Sequence, residues 1–129
     1  SVIHQYIPID APHYVKRFLN RWLPDMAIFV ESELWPNLLL EMQRRNIPAW
    51  LLNGRMSERS MARWQRFSTA AKQLLSTFKT ILAQSNEDKK RFEILGAQNV
   101  MHIGNLKLDA PPLSYDESLL RKYITELDN

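Results

Sequence analysis

The chain has 129 residues, 45% hydrophobic and 24% charged, with a net charge of +3; this is about one domain of ordinary globular composition, long enough to bury a core. No cysteine is present, so disulfides, thiolate nucleophiles and thiolate metal sites are excluded. No apolar run approaches the roughly 20 residues needed to span a bilayer, and no signal peptide opens the chain.

The chain opens instead on the strand-like Val2-Ile3-His4-Gln5-Tyr6-Ile7, which leads us to expect further sequence upstream. Apolar bursts of strand length follow at Met26–Glu31, Ala49–Asn53, Thr80–Gln84 and Val100–Ile103. Between them, helical spacing predicts Pro12–Trp22, Pro36–Arg45, Ser57–Phe78 and Glu87–Leu95. Such alternation gives an α/β fold, a mostly parallel Rossmann-like sheet with helices on both faces. Ser57 is placed to cap the third helix, with Ser60 at the capping-box position, and Ser85 or Asn86 to cap the fourth. Gly96 follows Leu95 as a terminating glycine does. Along the third helix Met56, Ser60, Trp64, Phe67, Ala71, Leu74 and Phe78 are expected to face the core, with Arg55, Arg59, Arg63 and Arg66 on the adjacent face. Ala110-Pro111-Pro112-Leu113-Ser114 reads as a linker and Asp116–Leu127 as a short helix beyond it, so the expected division is 1–109 and 110–129.

Charge is unevenly placed. Between Met42 and Asn86 lie eight basic residues and one acid, a local balance of +7, which attracts phosphates, nucleic acid or an anionic membrane, or is simply a solvated surface. Nucleic acid would call for aromatics interleaved with the cations on an exposed face; with Trp64 and Phe67 assigned to the core, it is not expected as a partner.

Polar groups cluster at four successive strand ends, where ligands of open parallel sheets bind. Glu31 and Glu33 follow the second apolar burst and precede Pro36. A carboxylate at a helix start is stabilised ionised, which suits a hydrogen-bond acceptor, a cation partner or a base; equally, Glu33 can steady the helix while Glu31 pairs with an arginine. Asn53, Arg55, Ser57 and Arg59 follow the next strand and open a helix, an arrangement suited to anions, without the spacing of a nucleotide loop. Gly104-Asn105 is expected to turn out of the last strand, leaving Lys107 beside the linker. His4, His13 and His102 lack metal-ligand spacing, so no metal and no cofactor is expected.

In order, Tyr6-Ile7-Pro8-Ile9-Asp10-Ala11-Pro12, Arg17-Phe18-Leu19, Glu31-Ser32-Glu33-Leu34-Trp35-Pro36-Asn37, Asn53-Gly54-Arg55-Met56-Ser57-Glu58-Arg59-Ser60, Ala83-Gln84-Ser85 and Gly104-Asn105-Leu106-Lys107-Leu108-Asp109 resemble the 3-deoxy-D-manno-octulosonic acid (Kdo) transferases of lipopolysaccharide assembly. Small departures are Ser32 for the usual Thr, Gly54 for Ala and Leu108 for Phe. The resemblance implies the N-terminal, acceptor-side half of a GT-B glycosyltransferase. The acceptor would be a phosphorylated lipid A precursor, and the donor CMP-Kdo, bound mainly by the other half. The setting would be the cytoplasmic side of the inner membrane. It also implies an upstream membrane anchor and an upstream catalytic glutamate, so that this chain alone is expected to be inactive. By that resemblance Glu31 and Glu33 would serve catalysis, and Asn53, Arg55, Ser57, Arg59 and Lys107 the phosphorylated acceptor. Another GT-B glycosyltransferase, a sugar-nucleotide epimerase or a non-catalytic anionic-lipid-binding domain are the competing readings.

Overall fold

The computed structural model describes residues 2–31 and 34–105. Element order is α1 (Pro12–Trp22), β1 (Ala27–Val30), α2 (Pro36–Arg44), β2 (Ala49–Gly54), α3 (Glu58–Gln65), α4 (Ser68–Leu75), β3 (Phe78–Ala83), α5 (Asn86–Ile94) and β4 (Val100–His102). The strands form one sheet in the order β1-β2-β3-β4, all parallel.

Register explains which face is buried. Phe29 pairs with Leu51, Leu51 with Ile81 and Ile81 with Val100, and this row across the sheet is buried. Side chains alternate between faces along a strand. The neighbouring positions Ile28, Val30 and Met101 are accordingly exposed, at 55%, 51% and 57%. Helices were expected on both faces; the described helices gather on one. Strands laid down in a single direction with right-handed crossovers place α2, α3, α4 and α5 on the same side. α1 joins them by packing on α2. The core under this layer includes Val15, Leu19, Leu39, Met42, Leu74 and Phe92, each contributing about 1.5–3 kcal/mol through burial.

Local signals operate largely as read. Ser57 Oγ accepts from Ser60 N–H at 3.2 Å and Ser85 Oγ from Asp88 N–H at 3.0 Å. At the end of α5, Gly96 takes a φ of 95°. Its N–H donates to Glu93 O and that of Ala97 to Phe92 O, the paired bonds of a Schellman turn. Gly104, with a φ of 83°, makes the expected turn out of β4.

Two further expectations fail. Ser57–Phe78 is two helices, broken at Arg66 and Phe67, where Phe67 adopts φ −126° and ψ 48°. A continuous 22-residue helix would run roughly 33 Å, whereas a six-residue strand covers about 20 Å. The break folds the segment back within the sheet's length. It also turns Phe67 outward, 64% exposed, while Ala71, Leu74 and Phe78 remain in the core. Val2–Ile7 is the second failure: it joins no ladder, and Val2, Ile3 and Tyr6 stand exposed. Gln5 and Ile7 lie beside the open edge of β1, lining with Ile28, Phe29 and Val30 an apolar hollow of about 540 Å³. Without ladder hydrogen bonds, apolar alternation alone does not make a strand. The proposed linker and helix at 110–129 lie outside the described residues.

Candidate active site at the carboxyl ends of β1 and β2

The backbone leaves its ordinary range where β1 and β2 end. Glu31 has a φ of 68° and Asn53 one of 52°. For asparagine the left-handed region is common; for glutamate it costs on the order of 1 kcal/mol, a strain that must be held by its surroundings. Part of the hold is Glu31 N–H, which donates to Leu52 O at 2.9 Å. Asn53 is buried, and the β2–β3 register shifts between Leu51 and Gly54. A methyl added at Gly54 would meet the side chains of Leu51, Phe92 and Ile81 at 3.2–3.3 Å, so the backbone lies close on the core there.

The loop from Arg55 to Ser57 is clamped to the start of α5. The buried Asp88 carboxylate accepts from Met56 N–H at 2.8 Å and from the Ser85 hydroxyl at 2.7 Å. Arg91 donates to Met56 O at 3.0 Å and to Glu58 Oε1 at 3.1 Å. Both main-chain groups of Met56 are therefore satisfied by side chains from 32 and 35 residues away, which fixes where Arg55 leaves the sheet.

A second tie holds the start of α2. Asp10 Oδ2 accepts from Asn37 N–H at 3.1 Å and Oδ1 from Leu38 N–H at 2.9 Å, while Asn37 Nδ2 donates to Asp10 O at 2.7 Å. With Pro36 at the first helical position, these are free N–H groups at the start of α2. Asp10 thus caps α2 from another part of the chain, since Trp35 at the cap position offers no side-chain acceptor.

At the carboxyl ends of β1 and β2, beside the clamped loop, lies a cavity of about 340 Å³. Glu31, Arg55, Ser57, Ser60 and Arg63 form its polar side; Leu34, Leu51, Met56, Trp64 and Phe92 form its apolar side. Three residues expected at the site, Glu31, Arg55 and Ser57, therefore meet around one opening. Asn53 is buried and absent from the lining; Arg59 is exposed on α3 outside it. Glu33 and Lys107 lie outside the described residues. Arg63 and Ser60 are the additions. At 100° per residue, Ser57, Ser60 and Trp64 share a stripe of α3 and Arg63 lies nearer to it than Arg59. Helical phase was the signal that could have chosen between them.

Electrostatically the +7 segment is not uniform. Glu41, just upstream, receives Arg44 Nη2 at 2.6 Å and Arg45 Nε at 2.9 Å. The Arg44 hydrogen bond is the main cause that lowers the Glu41 carboxyl from 4.5 to about 2, with Arg45 adding to it against the opposing effect of burial. Two of the eight cations are thus paired within α2 and its end. Arg55 and Arg63 instead border the cavity. A carboxylate and two guanidiniums around a half-apolar opening suit a ligand carrying both hydroxyls and an anionic group: the guanidiniums grip the anion and the carboxylate accepts from a hydroxyl.

Residues 1–110 match the family profile described as 3-deoxy-D-manno-octulosonic-acid transferase (kdotransferase). The chain belongs to the Kdo transferase family. It is 35% identical over 126 residues to the 3-deoxy-D-manno-octulosonic acid transferase of Rickettsia prowazekii, covering 98% of this chain and 27% of that protein. With the Haemophilus influenzae transferase identity is 38% over 124 residues, covering 95% of this chain and 28% of that protein. With a probable mitochondrial transferase of Arabidopsis thaliana it is 39% over 111 residues, covering 83% of this chain and 25% of that protein. The chain thus spans about a quarter of the length of these Kdo transferases. Among its described residues no helix is long and apolar enough to cross a membrane.

Proposed function

We propose that this chain is the acceptor-side part of a Kdo transferase that moves Kdo from CMP-Kdo to a hydroxyl of a phosphorylated lipid A precursor. The observation carrying this reading is the meeting of Glu31, Arg55 and Arg63 around one cavity at the carboxyl end of a parallel sheet, the position where such sheets bind ligands. In the transfer, the bond from the Kdo anomeric carbon to the CMP phosphate oxygen breaks. A bond to the acceptor oxygen forms, CMP leaves with the electron pair of the broken bond, and the acceptor hydroxyl's proton passes to a carboxylate of the intact enzyme. Arg55 and Arg63 hold an acceptor phosphate, while Glu31 accepts a hydrogen bond from the acceptor and fixes its approach. Ser57 contributes its hydroxyl and the start of α3. Glu33 and Lys107 complete the proposed set, and Arg59 draws the anionic acceptor from outside the cavity. Residues 1–109 form the acceptor-side domain, with 110–129 leading toward the donor-binding half. The whole enzyme works at the cytoplasmic face of the inner membrane, and this chain alone is inactive.

The test is acceptor selectivity in the intact transferase. Arg55→Ala is expected to weaken use of a phosphorylated acceptor by about tenfold or more, and to leave a dephosphorylated acceptor nearly unaffected. Equal losses on both acceptors would remove the phosphate contact.

A further inference from the structure

The apolar half of the cavity is not uniformly available to a ligand. Leu51, Met56 and Phe92 are buried, so Leu34 and Trp64, both half-buried, supply most of the surface that this side presents. The same two side chains line a second, tighter hollow with Ala71, Leu74 and Leu75 of α4, and both pack against the core. Trp64 therefore stands between the core and the opening. It lies in the last turn of α3, where its carbonyl accepts from Phe67 N–H at 2.9 Å as the chain turns into α4. The break at Phe67 thus does more than shorten a helix: it brings α4 against the indole while Trp64 still borders the cavity.

We infer that Trp64 is the platform on which one phosphorylated pyranose ring of the acceptor lies, and that the acceptor's acyl chains stay outside this cavity. A pyranose has apolar C–H faces and an edge of hydroxyls, so it suits an aromatic surface ringed by hydrogen-bonding groups. Here the indole is ringed by Glu31, Ser57 and Ser60, with Arg55 and Arg63 placed for the phosphate. A free phosphate would make no use of the indole. An acyl chain would bury the carboxylate and the guanidiniums against hydrocarbon, which is costly. Size agrees, since about 340 Å³ lies at the small end of the roughly 300–1,000 Å³ typical of ligand cavities. Because α4 already holds the indole, little side-chain freedom is lost when the ring binds. The inference rests on the acceptor reading proposed above and adds to it the part of the acceptor that is read and the residue that reads it.

The test uses the intact transferase with glucosamine 1-phosphate as a soluble probe, followed by saturation-transfer NMR. In the unaltered enzyme the C–H protons of the sugar ring are expected to receive saturation. Trp64→Phe should keep that signal and Trp64→Leu, which retains apolar bulk, should lose it, with thermal unfolding reporting the fold of each. In turnover, Trp64→Leu should raise the acceptor KM about tenfold and leave the KM for CMP-Kdo nearly unchanged. No saturation of the sugar ring in the unaltered enzyme would overturn the inference, even if the leucine variant failed to fold. An undiminished signal in a folded leucine variant would do the same, as would equal rises in both KM values. So would a signal on the base protons of CMP that Trp64→Leu removes, which would make the indole a donor contact. Selectivity for phosphorylated acceptor that depends on Arg55, alongside a sugar signal indifferent to Trp64, would sink this inference alone. The reverse pattern would sink the phosphate contact and leave the platform.

Discussion

Glu41 and Glu31 both stand in arginine-rich parts of the chain, yet the structure uses them differently. Glu41 lies in regular helix, nearly buried, with Arg44 and Arg45 both donating to it from within the same helical segment and its end. Glu31 lies at a strand end on left-handed backbone and borders a cavity with Arg55 and Arg63, which come from a different loop and helix. One cluster is local, closed within a single helix and its end. The other is assembled by the fold, at a cost in backbone strain, around an opening. Sequence composition counts the two alike; only three-dimensional placement separates a structural acid from a candidate functional one.

Paired substitutions sharpen this contrast most. In the intact transferase, Glu31→Gln is expected to lower turnover by about a hundredfold or more with the fold retained. Glu41→Gln should leave turnover within a few-fold. Comparable losses of turnover in the two variants would dissolve the distinction. Next in size is the tie that caps α2: Asp10→Ala frees the two N–H groups at the start of α2 and should cost about 2 kcal/mol in urea unfolding. A cost near zero would mean that α2 is positioned by packing alone.

The smallest effect is a pH dependence. Glu41 has its carboxyl lowered from 4.5 to about 2 in the fold. The ionised form therefore binds the native state better, and its stabilisation is complete above about pH 4.5 and lost as pH falls toward about 2. Urea unfolding across that window should show stability falling with acidification, and Glu41→Gln should flatten that limb. An unchanged limb would assign acid sensitivity to other carboxylates.

How much of this was legible in the sequence depended on the range of the interaction. Short-range signals were readable: α1 runs over Pro12–Trp22 as its proline start and spacing indicate, Ser57 and Ser85 cap their helices, and Gly96 ends α5. The parallel order of strands followed from their alternation with helices. Long-range decisions were not readable. No proline or glycine marks the break at Phe67; the length of the neighbouring strands imposes it. Val2–Ile7 has strand composition, but whether it pairs depends on a neighbour. Asp10 and Asn37 both belong to the motifs that carry the family resemblance, yet nothing local says that one caps the helix begun by the other. Glu31 and Arg55 were expected at one rim because each follows a strand, and both line the cavity. Arg63 rather than Arg59 lines the cavity because its helical phase is nearer to that of Ser57 and Trp64.

The φ of 68° at Glu31 has a consequence for anyone re-engineering this chain. A search for heat-tolerant variants that scores each position by backbone comfort would exchange this residue for glycine or asparagine early, since both relax in that conformation. The product would lack the carboxylate that borders the cavity with Arg55 and Arg63. Selection by melting temperature alone would therefore reward the loss of a candidate functional group, and position 31 belongs among those held fixed before any such screen begins.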